Sequence, residues 1–342
     1  MPVIIDDARK QEITALVKKN IALAKADWDS FEISWDFVRH PLAVVPCADK
    51  GLISEKFAIW ADLCEKRFSE LKNNEEELNR IFIDVYGLRG ELSPEVEDKD
   101  VTVCRADASR EIRSFISYAV GCLFGRYSPD TAGVICASRR YDIDKYRFFP
   151  PVQDNIIPVV YDGGEEDITE RFIKFVRTMY GAETLEENLS FIAGALGGSG
   201  SSREVIRKYF RDDFFADHCR IYQKRPVYWL FDSGKKGGFR ALIYMHRCTP
   251  DTLKRMHKVY LHKQQEFFRT APDSLTLQIK RCSGSEKVKL AQQQLRLKAR
   301  AEEVISYEKK LHLLANKMIP IDIDEGVRKN YAIFQELLPQ IR

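Results

Sequence analysis

KRPVYWLFDSGKKGGFRALIYMHR, residues 224–247, is the stretch on which the fold turns. Two apolar, aromatic runs flank a turn of Asp232, Ser233, Gly234, Lys235, Lys236, Gly237 and Gly238. Runs punctuated in this way predict a β-hairpin. Side chains alternate along a strand, so Phe239, Ala241, Ile243 and Met245 share one face of the second strand, a core face. Arg240, Leu242, Tyr244 and His246 share the other and are open to a ligand. Cations interleaved with aromatics suit nucleic acid, because the charges meet phosphates and the rings stack on bases. An Arg can also read guanine bidentately, worth roughly 1–3 kcal/mol of discrimination. A plain core hairpin with Lys235 and Lys236 in a solvated loop accounts for the same residues.

The charge distribution bears on that choice. A net charge of +3 conceals 26 Lys and Arg against 12 Asp and Glu in residues 201–317, and 25 against 35 in residues 1–200. A basic region joined to an acidic one suggests one face for a polyanion and another for protein neighbours, unless the charges cancel across the fold. The 342 residues allow one large domain or two to three smaller ones. No apolar run approaches the roughly 18–20 residues of a membrane span. The N-terminal MPVIIDDARK lacks the basic-then-apolar order of a secretory signal. Eight scattered cysteines with no Cys-x-x-Cys pair suit reduced cytoplasmic thiols better than disulfides or a zinc knot.

Around this stretch the chain is helix-rich. Helical spacing runs over residues 7–26, from about Ser54 (a plausible N-cap) to Tyr86, and from about Ala106 to Phe124. Trp28, Phe31, Ile33, Trp35 and Phe37 read as a strand or an aromatic connector. Residues 87–105 are a polar connector, and IIPVVY (156–161) is a strand candidate. Glu165–Tyr180, Thr184–Leu196 and 202–212 read as helices, with GGSGSS (197–202) as a C-cap followed by an N-cap. Leu290, Leu297, Val304, Leu311 and Met318 are spaced by seven, and with the preceding helix they predict an antiparallel hairpin or coiled coil. Pro272 and the Cys-Ser-Gly-Ser run at 282–285 supply its breaks. Such a seam serves an intramolecular hairpin or a dimer equally.

Several chemistries are missing. GALGGSGSSRE lacks the lysine of a phosphate-binding P-loop, and the Gly-Lys-Lys-Gly-Gly turn lacks its upstream glycine and its Ser/Thr. No Gly-x-Ser-x-Gly elbow occurs. His218-Cys219 reads as structural. The six histidines contain no His-x-x-x-His pair, and His257 and His262, five apart, do not share an α-helical face well, so no metal is expected. IDIDEG (321–326) alternates like a half-exposed strand whose acids lie at the surface.

Longer runs carry a resemblance. LNRIFIDVYGL (78–88), ISYAVGCLFGRYS (116–128), DNIIPV (154–159), SSREVIRKYF (201–210), the 224–247 stretch and LANKMIPIDIDEGVRKNY (314–331) occur in order. Together they resemble the C-terminal half of the PglX-type adenine-specific DNA methyltransferases of BREX phage-defence systems, from about residue 50 to about 335. That family's catalysis needs an Asn/Asp-Pro-Pro-Tyr/Phe motif and a glycine loop for S-adenosylmethionine. Neither occurs here: FFPPV (148–152) has the prolines without the preceding Asn or Asp. The resemblance thus implies target recognition and partner contacts without methyl transfer, from an excised fragment or a split gene. The chain alone is expected to be inactive and without a cofactor. The partners implied are double-stranded DNA, the missing N-terminal methyltransferase domain and other defence proteins, with no membrane.

The expected fold is helix-rich α+β. It comprises an N-terminal helical bundle (1–88), a target-recognition region with a small mixed or antiparallel sheet (89–249), a helical hairpin (250–318) and a tail packing back on the body (319–342). Charge and placement, rather than the resemblance, nominate Arg225, Tyr228, Lys235, Lys236, Arg240, Tyr244, His246 and Arg247 for DNA contact. A second group is Arg139, Arg140, Lys145, Arg147, Arg203, Arg207 and Lys208. A protein-interaction module that does not bind DNA is the alternative.

Overall fold

A computed structural model describes residues 3–43, 51–136, 142–160 and 166–341. Its strands, β1 (Ile156–Val160), β2 (Tyr228–Asp232) and β3 (Arg240–Tyr244), form one antiparallel sheet in the order β1-β3-β2. The predicted hairpin is present, with Tyr228 opposite Tyr244 and Asp232 opposite Arg240. Pro158, which cannot donate to a ladder, sits on the edge strand β1 beside a register shift. With its helices, the chain is a helix-rich α+β fold.

Both faces of the sheet are buried. One sends Ile157, Val159, Tyr228, Leu230, Leu242 and Tyr244 into a core that also holds Phe115, Phe172 and Phe210. These come from helices α3 (Ala108–Phe124), α4 (Ile168–Tyr180) and α6 (Ser202–Asp212). The opposite face sends Ile156, Trp229, Phe231, Ala241 and Ile243 into a second core. The alternation along β3 was read correctly, but the face assigned to a ligand is a second interior face. A strand covered on both sides needs apolar bulk at every position. Tyr supplies that bulk when its hydroxyl finds a partner.

The N-terminal helices α1 (Lys10–Trp28) and α2 (Ile53–Val85) pair with each other. They share a small core of Phe68 and Leu71 with Val101 and Val103 from the connector. Ser54 is not the cap of α2. The Ile53 N–H instead donates to Asn188 Oδ1 at 2.7 Å, from helix α5 (Leu185–Leu196), a cap 135 residues away. The Trp28–Phe37 segment is a string of turns rather than a strand, with Phe37 buried and Trp35 fully exposed. Asp107 caps α3, accepting from the Arg110 N–H at 2.8 Å. Ser201 and Glu204 form a capping box on α6. A short helix that the sequence reading missed, α7 (Phe214–Ile221), leads into the sheet.

After β3, helix α8 (Thr252–Arg255) passes through a π-helix (Met256–Leu261) into α9 (His262–Arg281). Helix α9 packs along α10 (Gly284–Asn316), giving the predicted antiparallel hairpin. Pro272 does not break α9. The carbonyl of Pro272 accepts from Gln294 Nε2 of α10 at 3.1 Å, so packing between the two helices carries the chain through the proline. The heptad seam is used inside the molecule: Leu297, Val304 and Leu311 lie buried in the second core. Residues 321–326 form no strand. Asp322 accepts from the Asp324 N–H in a tight turn that starts helix α11 (Gly326–Ile333), and Asn330 bonds the Asp322 backbone. The tail then returns to the sheet, with Trp229 edge-on to Tyr331 and the Asp232 N–H donating to the Leu337 carbonyl at 3.0 Å.

Candidate nucleic-acid interface

The β2–β3 loop is fastened by one carboxylate. Glu303 of α10 accepts from Ser233 Oγ at 2.8 Å, from the Lys236 N–H at 2.7 Å and from the Gly238 N–H at 3.1 Å. This explains the glycines. A Cβ on Gly238 would sit 2.6 Å from Val304 Cγ2 and 2.7 Å from the Arg300 carbonyl. Gly234 has φ +133° and Gly237 φ +63°, a region that favours glycine. With the backbone pinned, the Lys235 and Lys236 side chains are left at the surface. Arg300 Nε donates to the Lys236 carbonyl at 3.3 Å, and the exposed Arg296 lies one turn earlier on α10.

Most of the other nominated residues have structural duties. Tyr228 lies in the core, stacked on Phe124 at 5.5 Å and on His218 at 4.6 Å. Burial holds its phenol pKa far above the usual value. Tyr244 is equally buried, and its hydroxyl donates to the Cys136 carbonyl at 2.6 Å. Arg240 pairs with Asp232 at 3.1 Å and donates to the Arg211 carbonyl at 2.8 Å. Arg247 donates to the carbonyls of Phe124, Val152 and Gln153, tying the end of the hairpin to the end of α3. His246 is half-buried against Tyr244, and desolvation pushes its pKa down to about 4. Tyr228 and Tyr244 are closed to a ligand because the sheet is covered on both sides, whereas Arg240, His246 and Arg247 are half-buried and engaged by the partners named.

The second group divides in the same way. Arg203 makes a two-pronged pair with Glu186 at 2.7 and 2.6 Å, and Arg207 reaches Asp167 and Glu170. Arg225, Lys145, Arg147 and Lys208 are exposed. Arg139 and Arg140 lie outside the described residues.

The helical hairpin carries much of the basic excess read from the sequence, yet none of its residues stood among those nominated for DNA contact. Residues 250–318 contain fifteen Lys and Arg against seven Asp and Glu. Lys254, Lys258, Lys263, Lys280, Lys287, Lys289, Arg296 and Lys298 are exposed and make no ion pair with the described residues. Around the α3–α7 cleft the arginines are matched. The cleft of about 440 Å³ between α3 and α7 is lined by Arg110, Arg113 and Arg220, and each meets a carboxylate, Glu111 or Asp217. That cleft is a poor anion site.

Among the described residues, the hairpin tip and α8–α10 therefore carry the largest group of cations without an ion-pair partner. No protein-family model matches the chain. Its sequence is similar to a part of adenine-specific methyltransferases, in agreement with the six runs of resemblance. The chain is 44% identical over 333 residues to the adenine-specific methyltransferase PglX of Lacticaseibacillus casei (strain Zhang), covering 94% of this chain and 27% of the relative. It is 33% identical over 364 residues to the adenine-specific methyltransferase BrxX of Escherichia coli O9:H4 (strain HS), covering 98% of this chain and 30% of that protein. The chain thus spans less than a third of the curated relatives it matches.

Proposed function

We propose that this chain is the DNA target-recognition and partner-docking part of a site-specific adenine-N6 DNA methyltransferase of a BREX-type phage-defence system, with methyl transfer and S-adenosylmethionine binding housed elsewhere. The observation that carries the reading is the set of unmatched cations on the hairpin tip and α8–α10, in a chain whose other arginines are largely paired. Lys235, Lys236, Arg296 and Lys298 are the primary DNA contacts, and Arg225, Lys145, Arg147 and Lys208 are secondary. The second core draws on the sheet, the helical hairpin and the tail together.

A gel-shift titration against salt tests this. Binding to duplex DNA should weaken with salt by about 0.9 logarithmic slope units per phosphate contacted. Lys235→Glu with Lys236→Glu should lower that slope by roughly two units and leave the unfolding transition in place. A folded chain that ignores duplex DNA at low salt removes the proposal. Isothermal titration with S-adenosylmethionine should give no heat. Exposed Val288, Leu295 and Leu313 along α10 favour the docking part of the reading, since apolar side chains at the surface of a helix suit a protein neighbour.

A further inference from the structure

Where the π-helix meets α10, side chains that the DNA reading does not use converge. His257 Nε2 lies 2.7 Å from Glu308 Oε1. One ligand atom each from His257, Glu308 and His312 lies within 4.8 Å of the other two. The His257 ring centre is 5.1 Å from that of His312 and 4.6 Å from that of His262.

Two local geometries bring this about. Glu308 and His312 are four apart on α10 and so stack on one face. His257 and His262 are five apart, which an α-helix would splay by about 140°. The intervening π-helix, with its i→i+5 hydrogen bonding, returns the fifth residue to the same side. The sequence expectation that these two histidines diverge assumed an α-helix and fails for that reason. A π-turn costs regular hydrogen bonding, and such turns gather at functional sites.

We propose that His257, Glu308 and His312 bind a divalent transition-metal ion of the zinc class, with His262 completing the coordination shell. Imidazole nitrogen with one carboxylate oxygen suits zinc and its neighbours, at bond lengths of about 2.0–2.2 Å, rather than calcium or magnesium, which prefer oxygen throughout. His257 is buried and held by packing, whereas His262 and His312 are exposed and leave a path for entry. Asn316 Nδ2, 2.9 Å from His312 Nε2, steadies that ring from outside the cluster. With four protein ligands the shell is closed, so the site is structural rather than catalytic. The ion would join residues 51 positions apart and clamp the π-helix to α10.

The proposal stands independently of DNA binding. Its test uses the full chain, stripped of metal and carrying no affinity tag, titrated with Zn²⁺ by calorimetry and thermal unfolding. One equivalent should bind with submicromolar affinity and raise the unfolding temperature. His312→Ala and Glu308→Gln, both outside the core, should each weaken binding by about 100-fold, at or above the loss typical of outer-sphere changes. They should also abolish the thermal shift. Co²⁺ should give tetrahedral visible bands without a thiolate charge-transfer band. Absence of a one-equivalent site, affinity unchanged in both variants, or a thiolate band would each overturn the assignment.

Discussion

At Gly238 the absence of a side chain is a packing requirement, since the loop backbone presses on α10. Gly238→Ala should destabilise the chain by about 1–3 kcal/mol in urea titrations, the usual cost of overpacking. Gly237→Ala, with open space around it but φ +63°, should cost about 1 kcal/mol. If the two variants are equal, the close approach is not what selects glycine. Tyr244→Phe removes the hydrogen bond to the buried Cys136 carbonyl and should cost about 0.5–1.5 kcal/mol while leaving DNA affinity unchanged. Two buried histidines set a pH dependence. His40 Nδ1 accepts the Leu42 N–H at 3.2 Å, and His218 Nε2 accepts the N–H groups of Val227 and Tyr228 at 3.0 Å, so both rings act as neutral acceptors. Burial pushes His40 from 6.5 down to about 3, and burial with the nearby Arg126 cation holds His218 well below 6.5. Unfolded, each ring takes up a proton near pH 6.5; folded, neither does until far lower. The unfolded state therefore binds more protons in that window, and stability falls as pH drops through it. Buried Glu32, whose carboxyl is pushed upward by desolvation, opposes the trend at lower pH. His246, also held down, adds to the two buried rings, so between pH 7 and 5.5 we expect a loss of about 2–4 kcal/mol in urea-derived stability, and a flat profile would falsify the assignment.

Among the elements, α9 and α10 show how packing overrides local signals. An interior proline costs a free helix about 3 kcal/mol or more, yet α9 continues through Pro272 because α10 lies alongside it. Pro272→Ala should therefore stabilise the chain by roughly 1–3 kcal/mol, seen as a raised urea midpoint with an unchanged slope. A loss of stability would mean that the proline ring itself is needed in the packing against α10. The seam of Leu297, Val304 and Leu311 faces the second core, so Leu311→Ala should cost about 2–5 kcal/mol without changing the sedimentation of the native chain. A change in oligomeric state instead would return the seam to an intermolecular role. The sequence showed these helices through spacing alone. It could not show the π-turn, because the choice between i→i+4 and i→i+5 bonding depends on what the turn packs against.

For the whole molecule, the sheet is a partition between two cores rather than a platform. That arrangement sorts the candidate residues: side chains on the strands are interior, and side chains on the loop and the helical arm meet solvent. Among the described residues no helix is long and apolar enough to cross a membrane, and the described cysteines form no disulfide. The sequence by itself determined the helix-rich α+β class, the hairpin with its register-setting turn, the two long terminal helices, the basic excess after residue 200 and the likeness to adenine-specific methyltransferases. Each of these follows from local pattern, composition or matched runs of residues. Only the tertiary structure decided that both faces of β3 are buried, that Asn188 caps α2, that Glu303 holds the loop, and that four residues from two distant segments meet around His257. Those outcomes depend on what each surface packs against. Alternation along a strand reveals two faces without saying which of them water reaches.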